Sequence, residues 1–211
     1  MKIYHKMEED SGGFTDMQLL VMDHSQTFMH EDWRISRELA EEMMRNIPGL
    51  KDNFELDQIT MGNGECFHTA VHQQLRRPEV QNNLSKRNKM LSKNSDMRAF
   101  KSMVRRFMLK NSHPNVARVK EDFEIFMEGM TWETYWSSKN LLRKEFWADE
   151  MFIRSTAWFL QLDIVIHQNV PGCPVKMISG NIDDESASST GPKLHLGYLL
   201  NRHFQSLIPL A

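Results

Sequence analysis

The chain has 211 residues, 40% of them apolar and 26% charged, with a formal net charge of −2, a size that fits one domain with a sizeable core. Five Trp and 12 Phe argue against a disordered chain, and two Cys exclude a disulfide scaffold or a Cys-rich zinc module. No run reaches the roughly 18 apolar residues of a membrane span, and the opening MKIYHKMEEDSGG lacks the apolar middle of a secretory signal, so a soluble, intracellular protein is expected.

Residues 1–30 show no sustained hydrophobic period and are expected to form an N-terminal arm, leaving 31–211 as the domain. Ile35, Leu39, Met43 and Ile47 recur on one helix face until Pro48-Gly49. Phe100, Met103, Val104 and Phe107 mark another helix, with Asn94 or Ser95 as its cap. Ser112-His113-Pro114 breaks it, and Pro114 suits the first turn of a helix carrying Val116, Val119, Phe123, Phe126 and Met130. A further helix is expected from Trp147 through Met151 to Trp158 and Leu162.

Strands follow. Asp163 to His167 is a β-branched run, and Val175 to Ser179 is a second candidate beyond Pro171-Gly172-Cys173-Pro174. Residues 180–191 are polar and Ser-rich, an exposed loop. Leu194, Leu196, Tyr198 and Leu200 alternate as a strand, Asn201-Arg202 turns the chain, and His203 to Leu207 returns beside it. Helices first and strands last make an α+β fold rather than repeating βαβ units.

The charge is segregated. Residues 1–65 hold 6 basic and 14 acidic side chains, 76–120 hold 13 and 2, and 121–150 hold 3 and 8. The basic segment could meet an anionic partner, but no Gly-aromatic RNA signature or zinc-finger spacing accompanies it. Helix faces paired with the neighbouring acids are the simpler reading, and nucleic-acid binding is the lesser one.

The window Gly62-Asn63-Gly64-Glu65-Cys66 sets a Gly-rich turn before a helix face of Phe67, Ala70, Val71 and Leu75. Cys66 would open that helix beside unpaired backbone N–H groups, which lower a thiol pKa and can bind an oxyanion. The alternative is a small buried residue under a turn. A thiolate needs a base, and His203, opening the last strand, is the best-placed histidine. His68 and His72 share a helix face at zinc-like spacing, but the run HTAVH lacks the metalloprotease glutamate. No metal site is expected. His195 should face the other side of the sheet, and Cys173 is read as a turn residue.

Three segments in chain order resemble the ovarian tumour (OTU) family of cysteine proteases. Asn63-Gly64-Glu65-Cys66-Phe67-His68-Thr69-Ala70-Val71 is similar to its D-G-x-C nucleophile motif. Trp147-Ala148-Asp149-Glu150 and the following helix resemble its W-G helix, which runs into a short strand as here at Asp163–Ile166. His203-Phe204-Gln205-Ser206-Leu207 resembles its final H-aromatic-x-S segment. Together they cover roughly 55–210.

The resemblance implies a papain-like OTU fold, a small mixed β-sheet flanked by helical lobes, and hydrolysis of the isopeptide bond after the C-terminal glycine of ubiquitin, polyubiquitin or a ubiquitin-like modifier. It makes Cys66 the nucleophile and His203 the general base, with backbone groups of Asn63, Gly64, Glu65 and Cys66 as oxyanion hole and no cofactor. Two positions depart from the family pattern: Asn63 stands where Asp is usual, and Gln205 where Asp or Asn usually orients the imidazole. Gln205 can accept from the ring but brings no charge; Asn201 or an acid within Glu55–Asp57 could replace it. The arginines of ubiquitin's tail call for carboxylates, and the candidates are Glu121, Asp122, Glu124 and Glu128, with Asp183, Asp184 and Glu185. Trp147 would wall the glycine channel. A ubiquitin-binding relative that does not cut, and a basic nucleic-acid-binding module, are the alternatives.

Overall fold

The computed structural model describes residues 32–62, 64–93, 96–127, 129–143, 146–188, 191–199 and 202–210; the arm expected over 1–30 lies outside them. Helix α1 (32–46) forms as its period predicts, but its buried face is turned by about one position. Ser36, Ala40, Met43 and Ile47 are buried, while Ile35 is 43% exposed. Ser36 tolerates burial because its hydroxyl donates to the Asp32 carbonyl at 2.7 Å and accepts the Gly62 N–H at 2.9 Å.

The chain then runs through α2 (Leu50–Asn53), β1 (Phe54–Leu56), α3 (Cys66–Arg76), α4 (Pro78–Gln81) and α5 (Lys86–Lys93). Next come α6 (Met97–Lys110), α7 (Pro114–Phe126), α8 (Trp132–Tyr135), α9 (Ser138–Leu141) and α10 (Glu150–Leu160). β2 (Ile164–Gln168), β3 (Val175–Ile178), β4 (Leu194–Leu199) and β5 (His203–Pro209) close it. Asn94 and Ser95 lie outside the described residues; the cap of α6 is Asp96, whose carboxylate accepts from Arg98 and Ala99 N–H at 2.9 and 3.2 Å. Helix α10 starts later than expected because Asp149 caps it, accepting the Phe152 N–H at 2.9 Å. Trp147 is thereby left outside the helix and 46% exposed.

The sheet order is β1-β5-β4-β2-β3; β2 and β4 are parallel and the other pairs antiparallel. Side chains alternate between its faces. Ile164, Ile166, Leu194, Leu196 and Phe204 join the main core with residues of α3 and α10. Leu199 and Leu207 point the other way, onto Met43, Ile47 and Leu50. The result is the expected α+β arrangement, a mixed sheet between helical layers.

Helix α3 is tied to the sheet by one buried amide. Gln74 Nε2 donates to Ser206 Oγ at 2.8 Å and to the Leu207 carbonyl at 2.7 Å, and its Oε1 accepts the His195 N–H at 3.0 Å. Every polar atom of that side chain is used, so burial costs little and the register of α3 along β5 is set.

Gly180 closes the turn after β3 against the backbone entering β2. Its N–H donates to Asp163 Oδ1 at 3.0 Å, and a Cβ there would fall 2.3 Å from the Leu162 nitrogen. Backbone cannot yield as a side-chain tip can. Gly180→Ala should cost about 1–3 kcal/mol, read as a lower urea midpoint with unchanged slope; a parent-like midpoint would contradict the contact.

Candidate active site

β1 pairs with β5 only from Leu56 opposite Leu207 to Phe54 opposite Pro209. Asp57 N–H still bonds the Ser206 carbonyl at 3.1 Å on that edge, so alternation turns the Phe204 backbone to the same edge, where β1 no longer covers it. The chain from Asp57 to Glu65 passes this gap. Gln205 holds it there: its Oε1 accepts the Thr60 N–H at 3.0 Å and its Nε2 donates to the Gln58 carbonyl at 2.8 Å. Gly62 then packs between Ser36 and the His203 ring, and a Cβ on it would lie 4.0 Å from His203 Nδ1. Gly64 turns the chain into α3 with φ 81°, a left-handed conformation that costs other residues about 1–2 kcal/mol.

Cys66 opens α3, buried, with its thiol within hydrogen-bonding reach of the Phe204 backbone, one residue from His203. Phe67 packs edge-on to Phe204 at 5.3 Å between ring centroids, holding helix and strand together beside the thiol. The structure therefore brings the Cys66 turn and the start of β5 to one place.

The electrostatics differ from the sequence expectation. Burial pushes the Cys66 thiol above its ordinary pKa, outweighing backbone contacts from Phe204, Phe67 and Cys66 itself that pull it down. Burial also drives the His203 imidazole down to about 4, against an upward pull from the Gln205 side chain. Both shifts favour the neutral form, and at the thiol burial outweighs the pull of the backbone N–H groups at the start of α3.

Gln205 shares a face of β5 with His203, but its amide is engaged by Gln58 and Thr60. Neither ring nitrogen of His203 has a hydrogen-bond partner among the described residues. Gln205 thus acts on the ring by proximity and on the loop by directed bonds. Asp57 accepts from Ser206 Oγ at 2.8 Å, on the other face of the strand, and Glu55 is exposed on β1. Neither orients the imidazole. Asn63 and Asn201 lie outside the described residues.

The remaining candidates are spread more widely. Glu121 and Asp122 are exposed on α7, and Asp122 borders a groove of about 460 Å³ with Val119, Phe123, Met127, Glu150 and Met151. Phe152 of α10 packs edge-on to Phe67, the residue after Cys66, at 6.4 Å between ring centroids. Glu124 pairs with Lys120 at 3.7 Å, and Glu128 lies outside the described residues. Asp183 bonds His113 at 2.9 Å, Asp184 accepts from Ser186, and Glu185 pairs with Arg118 at 3.4 Å. Their loop leads into β4 at Leu194, whereas His203 pairs with Leu199 at the other end of that strand. The structure does not bring these loop acids to the thiol.

His68 is buried among Phe67, Phe100 and Phe152 and, with His72, lines a small void. Among the described residues no cluster of three His, Cys, Asp or Glu could hold a metal ion. His195 lies on the face opposite Leu194 and Leu196, with its Nδ1 3.2 Å from His167 Nε2. Cys66 and Cys173 are both free, and no described helix is long and apolar enough to cross a membrane. Sequence reading missed Ser36 and Lys101, because a serine and a lysine on amphipathic helices signal an exposed face.

No protein-family profile and no curated protein matches the sequence. Among solved structures, the Hazara virus OTU bound to ubiquitin is similar at 18% identity and a TM-score of 0.45, over 77% of this chain and 85% of that one. The viral OTU domain protease of Dera Ghazi Khan virus is similar at 14% identity and a TM-score of 0.48, over 77% and 85%. An OTU deubiquitinase from Wolbachia pipientis wMel is similar at 20% identity and a TM-score of 0.44, over 75% and 90%.

The buried imidazoles make stability depend on pH. His203 and His195 hold pKa values of about 4 in the fold, against about 6.5 in an unfolded chain. As pH falls from 6.5 towards 4 the unfolded chain takes up protons that the native one refuses. Stability should therefore drop by up to about 1.4 kcal/mol per pH unit for each group. Urea midpoints at pH 7, 6 and 5 should fall steadily, and a flat series would contradict the neutral buried rings.

Proposed function

We propose that the chain is a thiol-dependent hydrolase of the isopeptide bond that joins the C-terminal glycine of ubiquitin, or a ubiquitin-like modifier, to a lysine. The observation that carries this reading is the approach at the β5 edge: the Cys66 thiol lies within reach of the backbone of Phe204, the residue after His203, while Gly62, in the turn before the thiol, sits on the side of the His203 ring, where a Cβ on it would come 4.0 Å from Nδ1. The order of the three OTU-like segments supplies the substrate class.

Neutral His203 takes the thiol proton as Cys66 Sγ attacks the glycine carbonyl, so charge develops only during the attack. The Cys66 N–H and neighbouring backbone groups of the turn, from Asn63 to Glu65, stabilise the oxyanion. The imidazolium returns its proton to the lysine amine as the C–N bond breaks, leaving a thioester. His203 then deprotonates water, which attacks the thioester; the C–S bond breaks, Cys66 takes that proton back as the thiol, and the carboxylic acid is released and gives its own proton to solvent. The α7–α10 groove, with Asp122 on its border and Glu121 beside it, is proposed as the path of a basic segment of the substrate, and exposed Trp147 stands near the N-terminal end of α10.

The test is a ubiquitin probe with a C-terminal electrophile. An adduct that is lost in Cys66→Ala supports the reading; non-covalent ubiquitin binding without an adduct would make the chain a binding module instead. His203→Ala should lower turnover by roughly 100- to 10,000-fold, the usual worth of a general base. With the thiol neutral at rest, iodoacetamide labelling of Cys66 should climb with pH past neutrality. Labelling that is constant from pH 5 to 8 would mean a preformed thiolate–imidazolium pair.

A further inference from the structure

Lys101 sits in the middle of α6 with its side chain turned inward, 3% exposed. A buried ammonium is costly unless a counter-charge meets it. Its Nζ lies 3.9 Å from Glu65 Oε1 and 5.3 Å from the centre of the Phe146 ring. Burial lowers the pKa of this lysine and Glu65 draws it back up. Glu65 is the residue from which α3 starts. Its carbonyl accepts the N–H of Thr69 at 3.0 Å and the hydroxyl at 3.2 Å, closing the first turn. Its side chain makes no capping bond to its own helix; it reaches to α6 instead. The turn before Cys66 is therefore tethered from outside, by a charge on another helix.

We propose that Lys101 is a positioning residue: its buried ammonium holds the Glu65 carboxylate and so fixes the Gly64-Glu65-Cys66 turn that aims the thiol and its backbone N–H. This rests on Cys66 acting as the nucleophile. The pair is asymmetric, because Lys101 is sealed in the core while the Glu65 side chain is 41% exposed. Removing the carboxylate strands a buried charge. Replacing the lysine by an apolar chain of similar length takes one counter-charge from a carboxylate that water already reaches, at little cost. Stability and catalysis should therefore part company.

The experiment compares the parent with Lys101→Met, Glu65→Gln, the double variant and Lys101→Arg, using ubiquitin with a C-terminal fluorogenic amide. Both single variants should lose roughly 10- to 100-fold in kcat with KM little changed, as expected when a reacting group is misplaced. The double variant should be no slower than the slower single one, and Lys101→Arg should recover part of the rate. Lys101→Met should keep the parent's urea midpoint, whereas Glu65→Gln should lose some of it. Hydrogen exchange at the amides of Glu65 to Phe67 should quicken in both single variants. Parent-like kcat and exchange in Lys101→Met would overturn the proposal, as would losses that multiply in the double variant. A parent inert towards the ubiquitin substrate would overturn the function above, while the exchange data would still decide the tether.

Discussion

The placement of α3 along β5 governs the rest. The strand partner β1 stops at Leu207, which leaves a short length of β5 edge open to the loop before Cys66. That opening is useful only if the helix is held at one position along the strand. Gln74 holds it at the far end, bonded to Ser206, Leu207 and His195. Gln205 holds the loop at the near end through Gln58 and Thr60. A slip of one helical turn would carry Cys66 about 5.4 Å away from the gap. Because these amides are buried with their partners, a slip would also strand polar atoms in the core.

Burial sets the chemistry as much as position does. The helix N-terminus and the Phe204 backbone favour a thiolate, and the apolar surroundings of Phe67 and Phe204 oppose it more strongly. The same surroundings keep the imidazole of His203 uncharged. Burial thus favours the uncharged form at both groups. The neighbouring pair of Lys101 and Glu65 shows the opposite solution: a charge kept in the core because a carboxylate at the rim meets it.

Much of this was legible in the sequence. Helix α6 follows its apolar period, and α7 follows it through Val116, Val119 and Phe123 but ends at Phe126, short of the expected Met130; β2, β4 and β5 follow their β-branched or alternating residues. β1 was not legible: three residues carry no period, and what makes Phe54–Leu56 a strand is its pairing with residues some 150 positions later. Helix α5 is polar in sequence and is held by tertiary contacts, among them Asn88 donating to the Leu160 carbonyl at 2.6 Å. At the candidate site, Cys66 stands out by the Gly-rich turn ahead of an apolar helix face and His203 by its place at the start of the last strand, and the motif resemblance then assigns their roles. The spacing from His203 to Gln205 places both on one strand face, but it cannot tell that the Gln205 amide serves the loop. The acids of 183–185 read as free carboxylates, yet Asp183 meets the ring of His113, which caps α7, and Glu185 meets Arg118 of α7, contacts that no local pattern encodes.

The most direct test of the central claim is a crystal structure of the chain trapped on a ubiquitin C-terminal electrophile. The account predicts a bond from Cys66 Sγ to the probe, a nitrogen of His203 within hydrogen-bond reach of that sulfur, and the probe's carbonyl oxygen facing the Cys66 N–H. An adduct on Cys173, or a His203 ring too far from that sulfur to exchange a proton with it, would contradict it.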